Sequence, residues 1–105
     1  MNVSSYWFHP DAFADLNDIW EFIAQDSMDA ADRVIDEIQS AINMLVNTPH
    51  AGHLRPDLSS RTMRFWLVHS YLIAYAPDQK PLLIIAILHG SRNPKVMASI
   101  LYDRK

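Results

Sequence analysis

Thr62-Met63-Arg64-Phe65-Trp66-Leu67-Val68, then Tyr71-Leu72-Ile73-Ala74-Tyr75-Ala76, then Leu82-Leu83-Ile84-Ile85-Ala86-Ile87-Leu88, are three largely apolar runs separated only by short polar interruptions. Runs of this length, rich in β-branched and aromatic residues and bounded by turn formers, read as strands. His69-Ser70 joins the first two and Pro77-Asp78-Gln79-Lys80-Pro81 the last two, connections that suit an antiparallel meander. The third run is apolar on both parities, which a strand tolerates only when both of its faces are covered. It is therefore expected at the centre of the sheet.

Upstream the hydrophobic period is different. Phe13, Leu16, Trp20 and Ile23 recur at steps of three and four, so they share one face of a helix running to about Gln25, with Asp11, Asp15, Asp18 and Glu21 on the other. Asp26 or Ser27 can cap a second helix whose stripe is Ala31, Val34, Ile35, Ile38, Ile42, Leu45 and Val46, stopped by Thr48-Pro49. The two form a helical hairpin. Before them Val3, Tyr6, Trp7 and Phe8 suggest an opening strand closed by His9-Pro10, because Pro cannot donate to a ladder but fits a first helical turn. Residues 47–60 carry the Pro, Gly and capping residues of a connecting loop. After His89-Gly90, the segment Pro94 to Tyr102 reads as a short amphipathic helix or a loosely packed tail. The fold class is α+β: an N-terminal strand and a helical hairpin packed on a three- to four-stranded antiparallel sheet, all within one domain spanning residues 1–105.

Composition narrows the function. With 50% apolar residues and two Gly the chain is an ordered globule, and with no Cys it has neither disulfide nor thiolate chemistry. The longest apolar run, Leu82 to Leu88, is seven residues, where a membrane helix needs about 20. A soluble, cytoplasmic protein is expected. The net charge of −3 hides an asymmetry: residues 1–50 hold nine acids against Arg33, a balance of −8, and residues 51–105 hold eight bases against three acids, +5. Either the basic half meets an anionic partner, or the acidic helices and the basic sheet simply complement each other.

Local motifs go further. Asp15-Leu16-x-x-Ile19-Trp20-x-x-Ile23-Ala24, Ala30-Ala31, Pro49-x-x-Gly52-x-x-Arg55-Pro56-Asp57-Leu58, Arg64-Phe65-x-x-Val68, Tyr71-Leu72-Ile73-x-Tyr75 and Ile87-Leu88-His89-Gly90-Ser91-Arg92-Asn93 together resemble the ParE/RelE toxin family of type II toxin–antitoxin systems. The closing His-Gly-x-Arg looks more like the ParE branch. That resemblance implies a toxin neutralised by a cognate antitoxin, in a toxin–antitoxin hetero-oligomer, with DNA gyrase as target and no bond chemistry of its own. The RelE branch implies instead a ribosome-dependent mRNA endoribonuclease, and a third possibility is a non-toxic member that only binds its antitoxin.

RNA cleavage needs a general base, a general acid and cations for the phosphorane-like charge. RelE-like members are thought to supply these with Lys and Arg on the sheet and a late Tyr or His. Here Arg64, His89 and Arg92 are the candidates; lysines are scarce and Tyr102 falls too far downstream for the late Tyr. The negative net charge also argues against a phosphate-rich partner. Each candidate has a plainer role: His89 can cap the strand end, and Arg92 can pair with an acid of the hairpin. If Phe65 and Leu67 face the core, Arg64 and Trp66 face outward, as a recognition patch or a simple Arg-on-Trp stack. The expected target surface comprises Arg61, Arg64, Trp66, Arg92 and Asn93, and the expected antitoxin surface Phe22, Trp66, Tyr71 and Tyr75. His50 and His53 lie in a Pro/Gly loop without rigid metal geometry, so neither metal nor cofactor is expected. The carboxylates of the helices, Asp15 among them, are read as solvent-facing, and one sheet face is expected to remain incompletely covered.

Overall fold

A computed structural model describes residues 6–104. Val3 of the expected opening strand lies outside them. The order is β1 (Tyr6–Phe8), α1 (Pro10–Ala24), α2 (Met28–Asn47), a 3-10 turn (Pro49–Ala51), β2 (Arg64–Val68), β3 (Tyr71–Ala76), β4 (Leu82–His89) and α3 (Pro94–Asp103). Strands follow the spatial order β1-β4-β3-β2. The meander β2-β3-β4 is antiparallel as expected. β1, however, joins β4 in parallel, with Tyr6 opposite Leu82 and Phe8 opposite Ile84, so the sheet is mixed. The cause lies in the connection: β1 reaches β4 only after the helical hairpin and the meander, a crossover long enough for parallel pairing.

β4 is interior to the sheet, and its double-sided apolarity is used on both sides. Leu82, Ile84 and Ile87 join Leu16, Ile19, Ile38, Ile42 and Leu45 beneath the helical hairpin. Ile85, Ala86 and Leu88 join Phe65, Leu72 and Ala74 in a second core closed by Leu58, Met63, Met97 and Leu101. The expectation of a poorly covered sheet face therefore fails, because α3 is a true helix whose Met97 and Leu101 are buried against that face. Each fully buried aliphatic side chain contributes about 2 kcal/mol relative to exposure, so the second layer is a substantial part of the stability.

The helices begin where their caps allow. Ser27 Oγ accepts the Ala30 N–H at 3.1 Å and Thr48 ends α2. In α1 the buried stripe is Ala12, Leu16 and Ile19, while Phe13 is exposed and touches Phe8, its ring 6.0 Å away. Trp20 is half-buried, and its Nε1–H donates to Asp32 Oδ1 at 2.8 Å, tying the two helices at their rim. The His69 ring, at positive φ in the β2–β3 turn, contacts the Glu37 carboxylate of α2.

Two details of the sheet position everything below. Between Ala74/Ala86 and Tyr75/Ile84 the register slips, leaving Ile85 as an extra residue on β4. This bulge sends Ile85 and Ala86 to the same core and inverts the alternation beyond it, so that Ile87 returns to the hairpin side. Second, Tyr75 is 0% exposed. Its hydroxyl donates to the Pro49 carbonyl at 2.6 Å and accepts the Gly52 N–H at 2.9 Å, while Arg64 Nη1 donates to the Gly52 carbonyl at 2.8 Å. The loop after α2 is thereby fastened to the sheet. Gly52 is required by space: a Cβ there would sit 2.5 Å from the Tyr75 hydroxyl and 2.9 Å from the Phe65 carbonyl.

Tyr75→Phe removes that hydroxyl, leaving the Pro49 carbonyl and the Gly52 N–H without it, and is expected to cost about 1–3 kcal/mol in urea unfolding. Burial pushes the Tyr75 hydroxyl above its ordinary 10.0, opposed by the Gly52 N–H and the charge of Arg64. The folded state thus holds the proton more tightly, and this contribution is intact below pH 10.0 and lost as pH rises through the raised value. The stability gap between wild type and Tyr75→Phe should accordingly narrow above pH 10.0. A gap constant with pH would contradict the burial argument.

Candidate functional site

Beyond Ile84, β1 no longer covers the edge of β4, and α1 passes over it. A cleft of about 310 Å³ opens there, walled by Asp15, Asp18, Ile19 and Phe22 of α1, floored by Tyr71, Ile87 and Leu88, and lipped by His89 and Arg92. The bulge explains why His89 belongs to it: with the alternation inverted, His89 lies opposite Tyr71 on the hairpin side, the rings meeting edge-on at 5.3 Å. Phe22 lines the same cleft and is 70% exposed. A lining that combines apolar side chains with the cation of Arg92 and the carboxylate of Asp18 suits an amphipathic protein segment.

Of the expected residues, the structure gathers Phe22, Tyr71, His89 and Arg92 here. His89 does act as a strand-end cap: the Ser91 N–H donates to His89 Nδ1 at 3.2 Å and the Ser91 hydroxyl lies 2.7 Å from it. Because a backbone N–H can only donate, Nδ1 is the accepting nitrogen and the neutral ring carries its proton on Nε2. Arg92 donates its backbone N–H to the His89 carbonyl at 3.0 Å, but its guanidinium forms no hydrogen bond or ion pair among the described residues.

The others are elsewhere. Arg64 lies opposite Tyr75, four residues along β3 from Tyr71, where His89 pairs. At roughly 3.3 Å per residue that is about 13 Å along the strand, with β3 also intervening. Arg64, His89 and Arg92 therefore do not form one site, and the expected target surface of Arg61, Arg64, Trp66, Arg92 and Asn93 is split in the same way. The outward-facing Arg64/Trp66 patch also fails. Phe65 is in the second core, Leu67 is 60% exposed, and Trp66 packs with the hairpin core because both sheet faces are covered. Arg64 is half-buried with its Nη1 on the Gly52 carbonyl, and Tyr75 is fully buried. Arg61 is spent on the end of α3: its Nη2 donates to the Leu101 carbonyl at 2.8 Å and to the Arg104 carbonyl at 3.1 Å. Asn93 caps the start of the same helix, its Oδ1 accepting the Lys95 N–H at 2.8 Å. A larger cleft, about 740 Å³, runs between residues 56–61 and α3 past Lys95, Ser99 and Tyr102.

The two residues that sequence reasoning missed are Asp15 and Arg104. Asp15 is not solvent-facing; its side chain is 16% exposed and that of Arg104 is 12% exposed. Arg104 grips it in two places, at 2.5 and 3.0 Å, and also donates to the Ile85 carbonyl at 3.1 Å, while the Ile87 N–H donates to Asp15 at 3.0 Å. Asp15 holds the Arg104 guanidinium protonated more firmly than a free arginine, against the cost of burial. One signal was available: Asp15 stands one helical turn from both Ala12 and Ile19, which are buried. His50 and His53 form no candidate metal group among the described residues.

With this architecture in view, comparison with known families is decisive. Residues 6–94 match the family described as ParE toxin of type II toxin-antitoxin system, parDE. The chain belongs to this family, and so is the toxin of a type II toxin–antitoxin pair whose other half is a cognate antitoxin. No curated protein matches it. The match runs from β1 to the first residue of α3 and contains the whole cleft. No helix is long and apolar enough to cross a membrane among the described residues.

The two arginines should behave oppositely. Arg64→Ala leaves the Gly52 carbonyl without its donor and should destabilise the fold by about 1–2 kcal/mol, whereas Arg92→Ala should change it by no more than about 0.5 kcal/mol. Thermal unfolding of the two variants side by side decides this; equal losses would show that Arg92 is structural.

Proposed function

We propose that this toxin arrests bacterial growth by binding DNA gyrase through the cleft between α1 and the end of β4, with Arg92 and Phe22 as its principal contacts and without catalysing bond cleavage. A cognate antitoxin neutralises it by covering the same cleft within a toxin–antitoxin hetero-oligomer. The observation that carries this reading is the state of Arg92. Arg55 is paired with Asp57, Arg61 and Arg64 with backbone carbonyls, and Arg104 with Asp15, so of the arginines after residue 51 Arg92 alone has a guanidinium without a partner among the described residues. It lines the same cleft as a large exposed aromatic ring, Phe22, and Arg and aromatic residues are the types that dominate interface energetics. Gyrase as target makes the cytoplasm the place of action. Ribosome-dependent mRNA cleavage is supported less, since its candidate residues Arg64, His89 and Arg92 occupy opposite ends of the sheet.

Expression without antitoxin should stop growth, and the purified protein should inhibit supercoiling by gyrase. Arg92→Ala and Phe22→Ala should each weaken that inhibition at least about tenfold, the loss of about 1.4 kcal/mol or more typical of an interface hot spot. Undiminished supercoiling at saturating toxin, with cleavage of mRNA in a translation extract, would replace this reading by the endoribonuclease one.

A further inference from the structure

We propose that Asp15 and Arg104 form a latch that fixes the free end of β4 and thereby positions His89 and Arg92 at the lip of the cleft; this rests on the functional reading above for its consequence but not for its geometry. β1 pairs with β4 only from Leu82 to Ile84, and the last backbone bond on that side runs from the His9 N–H to the Ile84 carbonyl. The bulge follows at once. The next two outward groups, the Ile85 carbonyl and the Ile87 N–H, meet side chains in place of a strand: Arg104 donates to the former and Asp15 accepts the latter. Because Arg104 and Asp15 also hold each other bidentately, the four groups form one closed set. Unmet backbone groups at a half-buried edge cost free energy, so the set is retained as a unit.

From Ile87 the constraint passes directly to the contact residues. His89 is two residues on, its carbonyl accepts the Arg92 N–H, and its ring is fixed by Ser91 on one side and Tyr71 on the other. Asp15 is itself a wall of the cleft. Arg104 lies outside it, past the end of α3, and outside the residues that define the family match. It acts on the site only through Asp15 and the Ile85 carbonyl, as a positioning residue. A merely structural pair would stabilise the whole fold evenly; a latch acts on one end of one strand.

The two are distinguished by amide hydrogen exchange on the full chain. Arg104→Ala should accelerate exchange at the Ile87 N–H by about tenfold more than at the β3 amides, which report global opening. The His89 ring resonances should broaden, and Arg104→Lys, which keeps the charge but not the two-point grip, should fall between. If Arg104→Ala does not fold, Arg104→Lys alone carries the comparison. Exchange at Ile87 that rises only in step with β3 overturns the latch. Faster Ile87 exchange combined with growth arrest equal to wild type overturns the positioning role. If the wild-type protein itself arrests no growth, the functional reading fails, and the Ile87-to-β3 exchange ratio still decides the latch.

Discussion

A strand that is apolar on both faces cannot be stable against water on either side, and β4 imposes that constraint on the whole molecule. Helices α1 and α2 cover one face, and α3 with the loop through Leu58 and Met63 covers the other. Two layers around one strand in a chain of 105 residues leave few residues for anything else. The outcome is a protein in which many conspicuous side chains are architectural, while a cleft stays open where α1 crosses the uncovered end of that strand, beside a larger one along α3.

Much of this could be read from the sequence. The helical hairpin, the capping Ser27, the meander and the central position of β4 all follow from local periodicity and local caps, which are properties of a few consecutive residues. The facing of β2 could not. Alternation shows that Arg64 and Trp66 share a side, but not which side is covered, and that depended on α3 being a packed helix. Tyr75 was legible as apolar and strand-forming, whereas its hydroxyl contact with Pro49, 26 residues away, was not. Asp15 and Arg104 are separated by 89 residues, and only the assembled fold makes neighbours of them. Within the site, the Phe22 end and the His89–Arg92 corner were visible as candidates, while their meeting in one cleft depended on the bulge.

The charge asymmetry between the two halves finds its explanation in the same contacts. Arg104 reaches back to Asp15 and Asp11, and the His69 ring to Glu37, so part of the positive half is neutralised by the negative one across the fold. Arg55 is satisfied locally by Asp57, which that guanidinium keeps below the usual carboxylate range. Among the arginines of the basic half, Arg104 is the one that complements the acidic half, while Arg55 is met within its own half and Arg61 and Arg64 donate to backbone carbonyls.

Ile85 does not line the cleft, and its side chain belongs to the second core. Yet its presence as one surplus unit in the count of β4 decides that everything after it is addressed to the hairpin side. What the strand transmits to its far end is thus arithmetic, odd or even, and not chemical character. Substitution by another aliphatic residue leaves that message intact, so the inner sequence of β4 is free to drift in identity while its length is held fixed by what lies at its tip.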